Sequence, residues 1–459
     1  MKHWCTSLAI VAAGILTAAG AEAATLTVGP GGAHRTISEA VTAARDGDTI
    51  QVHAGVYYEQ VVLDKRLTLE GLGKPRLVGG DRGSVLVVTA DGCVVKGLLI
   101  EHSGSDLQRE DSGVLLKSND NIIEGNELRD VLYGIYLLHS ARNTIRQNVI
   151  RGRTQLELGE RGAALHLWNS PDNTIEDNAI SDARDGLYIQ SSPGNVIRRN
   201  RVYGLRYGVH YMTSDDNTFE DNTFARNVAG AAIMYSRRIQ FRRNAFIHNR
   251  GFSSFGILFQ DCDDCLAEGN FIIDNTTGIF MEALRKSTFR NNVIAENDIA
   301  IEMFSSASEN VFQGNNFVEN TSPLRLVGRS STTRWSLNGR GNYWGDYGGY
   351  DLDGDGIGDV PHKVQNVFEY MEGNHPRLRI YLDSPAAQAL ATAERTFPVI
   401  EGSREMDPAP LMKPTEMRSQ ADDAAAKPAT QASLAALSMM LLTAAGAVMW
   451  KGRRRRQTR

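Results

Sequence analysis

The chain has 459 residues, 42% hydrophobic and 22% charged, with 44 Gly, 13 Pro, four Cys and a formal net charge of −5. That apolar fraction excludes a disordered chain, and four cysteines in this length exclude a small disulfide scaffold. The negative balance excludes a basic nucleic-acid binder, and the length predicts several domains unless the chain is a repeat solenoid.

In chain order, residues 1–23 read as a secretory signal. Lys2 and His3 form a short basic start, Leu8–Ala19 is apolar, and Ala21-Glu22-Ala23 is a cleavage motif. A retained N-terminal anchor is the alternative. Residues 24–92 are expected to form an N-terminal cap and the first coils. Thr36-Ile37-Ser38-Glu39 is a capping box, and Ile37, Ala40, Val41 and Ala44 give a helical stripe that Gly47 can end. This short helix is the expected lid.

Residues 93–325 carry a repeat of about 22 residues. Its pattern is Asn, any, apolar, any, any, Asn, any, apolar. The second Asn falls at 126, 148, 178, 200, 222, 244, 270, 292 and 315. A Gly-led strand precedes most copies, as in Gly134-Ile-Tyr-Leu and Gly208-Val-His-Tyr. Period-two alternation there predicts strands with one buried face. Ile135 to Ile301 would fill one inward column, Leu137 to Met303 a second and Ile123 to Phe312 a third. A unit this short cannot close its own core, but stacked copies can. The expected fold is all-β: a right-handed, single-stranded parallel β-helix of about ten coils, ~45–50 Å long. The Asn amides should stack at the turns, with Cys93 and Cys265 in the first-Asn slot.

The outward column Tyr136, His166, Tyr188, His210, Ala232, Leu258 is aromatic and His-rich where a solvated face would be charged. Its neighbour runs Leu138, Trp168, Gln190, Met212, Met234. Met212 and Met234 fall on adjacent coils, and His210 is two residues from Met212 on the same face. Thioethers with imidazole suit Cu(I), so His210, Met212 and Met234 form a candidate copper site, with His166 as a helper. An apolar patch covered by a loop or partner is the alternative. Cys262-x-x-Cys265 reads as a disulfide in an exported protein, with copper ligation the alternative. The outward columns hold no carboxylate before Glu282 and Glu302, and no compact acid–base group is visible. That argues against an enzyme. A secreted polysaccharide lyase or epimerase, or a carbohydrate-binding rod, is the competing reading.

Residues 326–397 are expected to cap the rod, from Trp335 onward. Asp351, Asp353, Asp355 and Asp359 with Gly356 resemble a calcium loop, but His362 stands where an EF-hand has Glu. A structural Ca²⁺ site and a plain Asp/Gly turn cluster both remain open. Residues 398–431, with Met406, Met412 and Met417, read as a flexible linker. Residues 432–450 are uncharged and long enough to span a bilayer, and the basic tail 451–459 would stay cytoplasmic. A removable sorting tail is the alternative. Residues 24–450 hold 42 basic and 53 acidic side chains, a net of −11, which suits handling cations.

The opening Ile37–Tyr57, the Asn-x-Ile repeats and the ending Gly341-Asn-Tyr-Trp-Gly-Asp-Tyr through Asp359-Val-Pro resemble the NosD family over residues 24–385. The resemblance implies a periplasmic copper-processing β-helix that works with an ABC transporter, an ATPase and a membrane permease. Such a protein would receive copper from a copper chaperone and pass it toward the copper–sulfur centre of nitrous oxide reductase. Here it would be held to the inner membrane by the C-terminal helix. The resemblance assigns no ligands; the His/Met choice rests on strand parity alone.

Overall fold

The asparagines dictate the architecture. In a computed structural model, which describes residues 23–328, 330–365, 367–381, 384–396 and 405–416, the chain winds as a parallel β-solenoid with three sheets. Sheet 1 has 13 strands, from Thr25–Val28 to Val311–Gln313. Sheet 2 has 13, from Val56–Tyr58 to Tyr343–Trp344. Sheet 3 has 12, from Val61–Leu63 to Ser322–Val327. The rod is thus about 13 coils and ~60 Å long at ~4.8 Å per coil, not ten coils. The first coils, residues 25–101, lack the Asn pair and so escape the repeat pattern.

The second Asn of each repeat forms a continuous ladder. Asn126 N–H donates to Asn148 Oδ1 (3.0 Å), Asn148 to Asn178 (3.0 Å), and so on through Asn315 to Asn342 (3.1 Å). Asn222 shows why these buried amides are tolerated. Its Oδ1 accepts from both nitrogens of Asn200, and its Nδ2 donates to Ile197 O and Asn244 Oδ1. Every hydrogen is used, so burial carries no desolvation penalty. The residue before each ladder Asn from Asn126 to Asn315 takes a left-handed φ, for example Arg199 at 55° and Asp221 at 55°. Glycine holds that position at 125, 269 and 314.

The three predicted inward columns are all buried, from Ile135 to Ile301, Leu137 to Met303 and Ile123 to Phe312. Glycines at the head of the sheet 3 strands serve close packing. A Cβ on Gly256 would lie 2.6 Å from the carbonyl oxygen of Gly278 on the next coil. The outer face of sheet 1 alternates in sign: Glu70, Lys96, Glu124, Arg146, Glu176, Arg198, Glu220, Arg242, Glu268, Arg290 follow each other in register.

Helix α1, Ile37–Ala43, has the predicted Thr36/Glu39 capping box and lies at the N-terminal end. At the other end Trp335 and Trp344 close the core, both buried. Helix α2, Val367–Asn374, packs on the last strand of sheet 3, where Arg325 pairs with Glu302 and Glu372; α3 is Pro385–Thr396.

Residues 405–416, placed in the linker by composition, are instead docked on this end. Asp407 accepts from Asn342 N–H (2.7 Å) and Trp344 Nε1 (2.9 Å), so a carboxylate ends the Asn ladder. Glu405 accepts from Trp335 Nε1 (2.9 Å). Met406 is exposed, and Met412 N–H bonds Gly356 O. No helix among the described residues is long and apolar enough to cross a membrane. Residues 1–22, Met417, the rest of the expected linker, the expected span 432–450 and the basic tail lie outside them.

Candidate metal centre

Sheet 3 carries the face that bears histidine, tyrosine and methionine. Its strands Asp185–Gln190, Tyr207–Met212 and Ala229–Arg237 pair in register, with Tyr188 beside His210, Gln190 beside Met212 and Met212 beside Met234. Alternation sends Tyr188, His210, Met212 and Met234 outward, while Leu187, Val209, Tyr211 and Ile233 fill the core. Met212 and Met234 are half-buried neighbours, and the Tyr188 hydroxyl lies 3.9 Å from Met212 Sδ while donating to Gln190 Oε1 (2.8 Å).

His210 is held from three sides. The Tyr188 and Tyr207 rings meet it edge-on, with centroids at 4.5 and 5.3 Å. Its Nδ1 lies 3.3 Å from Asp185 Oδ2. Asp185 is fully buried and takes a fork of two bonds from Arg206, Nε at 2.9 Å and Nη2 at 2.6 Å, with Arg184 Nε at 3.4 Å. Burial works against its charge, but the bonds from His210 and Arg206 outweigh that and hold the carboxyl at about 2.

Sequence reasoning missed this Asp185–Arg206–His210 group and found no compact acid–base cluster. Parity from Leu187 points Asp185 inward. However, the alternation breaks at Gly186, where a Cβ would run into Val202 Cγ1 and the Gly208 carbonyl. Gly186 and Leu187 both face the core, and Asp185 is thrown to the outer side. A Gly leading a strand after an acid is the available signal.

His166 does not join His210. The Tyr188 ring stands between them, meeting His166 at 4.6 Å and His210 at 4.5 Å. His166 stacks on Tyr136 (4.4 Å) and is only 7% exposed, with neither ring nitrogen hydrogen-bonded. Desolvation, then the nearby Arg184 charge, hold it neutral, with a pKa of about 3. Tyr136 is buried too, though it points outward. Both are enclosed by aromatic neighbours, with Tyr133 against each; the longer coil nearby, residues 153–162, packs Leu156 against the buried cluster of Leu132, Tyr133 and Ala163. His166 is thus placed one ring away from His210, without a hydrogen-bonding partner.

Cys262 and Cys265 stand in the structure as free, buried thiols in contact with each other. Their slots explain them. Coil after coil places Ser-x-x-Asn there, as Ser118/Asn121 and Ser140/Asn143, whose side chains hydrogen-bond. Cys262 sits in register with Ser236, and Cys265 N–H bonds Ser287 Oγ (3.0 Å). Cys93 takes the same Asn slot.

Oxygens of Asp351, Asp353 and Asp355 lie within 4.8 Å of one another, whereas Asp359 stands apart and accepts from Leu352 N–H (2.7 Å). Asp351 also caps the turn, accepting from Gly354 and Gly356 N–H. Glu302 is tied to Arg325.

Comparison with known proteins agrees with this architecture. The family profile described as periplasmic copper-binding protein (NosD) matches residues 46–159 and 150–349. The probable ABC transporter binding protein NosD of Pseudomonas aeruginosa is 32% identical over 385 residues, covering 80% of this chain and 89% of that protein. The protein of the same name from Stutzerimonas stutzeri is 32% identical over 381 residues, covering 79% and 86%. Among solved structures, the A-module of an Azotobacter vinelandii mannuronan C-5 epimerase superposes with a TM-score of 0.54 at 15% identity, covering 65% of this chain and 92% of that one. The Yersinia enterocolitica family 28 exopolygalacturonase gives 0.55 at 11%, covering 68% and 78%. These two share the fold alone. By the profile and by both close relatives, the chain belongs to the NosD family of periplasmic copper-binding proteins.

Proposed function

We propose that this chain binds Cu(I) on the outer face of sheet 3, through His210, Met212 and Met234. It would work in the periplasm with an ABC transporter and deliver copper for the copper–sulfur centre of nitrous oxide reductase. The observation that carries the reading is the pairing of two adjacent thioethers with a fixed imidazole on the outer face of one sheet. Soft, neutral donors favour Cu(I) over Zn²⁺ or Mg²⁺. They leave the bound ion's single charge uncancelled, so it exchanges readily to an anionic thiolate or sulfide acceptor. The half-buried, shallow position lets the ligands of a donor chaperone or an acceptor reach the ion directly. The transporter association follows the names of the relatives, and the C-terminal segment 432–450 would hold the rod at the inner membrane. Asp351, Asp353 and Asp355 would form a separate structural Ca²⁺ site.

Anaerobic Cu(I) titration against a chelator tests the site. Met212→Ala/Met234→Ala is expected to weaken Cu(I) binding at least tenfold while the far-ultraviolet spectrum is unchanged; equal affinity in the variant and the parent protein would refute this ligand set.

A further inference from the structure

We infer that Asp185 is a positioning residue for copper: it takes the Nδ1 side of His210, so that Nε2 is the atom offered to the metal. The inference rests on the copper reading above and adds to it the coordinating atom and the group that selects it.

The geometry leaves His210 little choice. Nδ1 lies 3.3 Å from Asp185 Oδ2 and 3.5 Å from Arg206 Nη2. These contacts ask for opposite tautomers: the carboxylate needs a proton on Nδ1, the guanidinium needs a lone pair there. Arg206 Nη2 already donates to Asp185 Oδ2 at 2.6 Å, and its Nε occupies Oδ1 at 2.9 Å. The carboxylate therefore takes the Nδ1 proton, and the lone pair is left on Nε2. Either way, Nδ1 faces the buried Asp185–Arg206 pair and is closed to a metal.

The orientation is held by packing as well. Tyr188 and Tyr207 box the ring edge-on, and Arg206 lies over the Tyr207 face at 4.5 Å. Asp185 has no exposure, and the adjacent Gly186 has no room for a side chain, since a Cβ there would lie 2.5 Å from the Gly208 carbonyl oxygen on the next coil. A carboxylate on the far nitrogen of a ligating imidazole sets its tautomer and makes the near nitrogen a better donor, an effect commonly amounting to about 10–100-fold in affinity. His166 has no such partner: both its nitrogens are unbonded and rings enclose it. Asp185 thus separates the histidine that serves copper from the one that packs.

The test combines two measurements on the purified protein. First, ¹⁵N-histidine NMR of the metal-free protein at pH 8 should show His210 protonated on Nδ1, with the Nε2 resonance moving when Cu(I) is added. A proton on Nε2, or a shift confined to Nδ1, would overturn the inference. Second, Asp185→Asn should weaken Cu(I) binding about 10–100-fold, and His210→Ala should weaken it at least as much. If His210→Ala weakens binding and a folded Asp185→Asn does not, the positioning role fails while the copper site stands. If His210→Ala and Met212→Ala/Met234→Ala all leave affinity unchanged, the copper reading fails and this inference with it. Should Asp185→Asn not fold, the NMR measurement still decides, because it needs no substitution.

Discussion

His166 and His210 share one outward column, yet their surroundings give them opposite characters. His210 meets a carboxylate; His166 meets three tyrosine rings and no hydrogen-bonding partner. The cost of His166 is paid in acid. Its pKa of about 3 in the fold lies below the ~6.5 of a free histidine. A depressed pKa means stability that is complete above ~6.5 and is lost as pH falls toward 3, because only the unfolded chain takes up the proton. At ~1.4 kcal/mol per unit this amounts to about 5 kcal/mol. His166→Phe should therefore show a flatter fall of the urea midpoint between pH 6.5 and 3 than the parent protein. An unchanged acid limb would show that His166 is protonated within the fold. Sequence parity put both histidines on the correct face but could not rank them, because burial of His166 depends on how the Tyr133, Tyr136 and Tyr188 rings pack around it.

The ladders explain how short strands hold their register. Sheet 2 strands are mostly three residues long, too short to specify pairing alone. Asn ladders fix one corner of the coil, and the alternating acids and bases of sheet 1 penalise slippage by one coil, which would set Glu against Glu. Exposed pairs such as Arg290 and Glu268 add little net stability; their value lies in that penalty. The buried amides matter more. Asn222→Ala would strip the acceptor from the buried Asn200 N–H and remove side-chain bonds to Ile197 O and Asn244 Oδ1. At about 1–3 kcal/mol for an orphaned buried group, the loss should be read as a lower thermal midpoint. Asn222→Ala with a midpoint within a degree of the parent would contradict this account. The Asn slots and inward columns were legible in the sequence because each coil repeats them. The Asn slot of Cys265 was legible for the same reason; the Ser slot of Cys262 was not, since Cys-x-x-Cys on its own suggests a bridge and only its register with Ser236 shows that slot.

A solenoid has two open ends, and each needs a cover. The N-terminal cover is α1. The C-terminal cover is shared between Trp335, Trp344 and the returning segment 405–416, whose backbone bonds Gly341 and Asn342. Without that segment the Trp335 and Trp344 indoles and Asn342 N–H lose their acceptors. A chain ending at residue 397 should melt at a lower temperature than one ending at 416 and should self-associate through its bare last coil. Differential scanning calorimetry with sedimentation velocity checks both, and two monomers with equal midpoints would show the segment to be dispensable. Because the segment leaves the rod at this end, the proposed tether would hold the C-terminal coil, not the copper face, nearest the membrane.

By itself, the sequence determined the coil, the three buried columns, the N-terminal helix and the face that bears His210, Met212 and Met234. All of these are local or repeat at a fixed spacing, so one strand predicts its neighbour. Tertiary structure alone decided that Asp185 serves His210, that His166 is buried without a hydrogen-bonding partner, and that residues 405–416 seal the far end. Each depends on something the repeat does not carry: a glycine that reverses parity, the packing of rings around one side chain, or a segment returning across more than sixty residues. Such contacts form wherever shape and unpaired hydrogen bonds meet in space, and no spacing along the chain announces them.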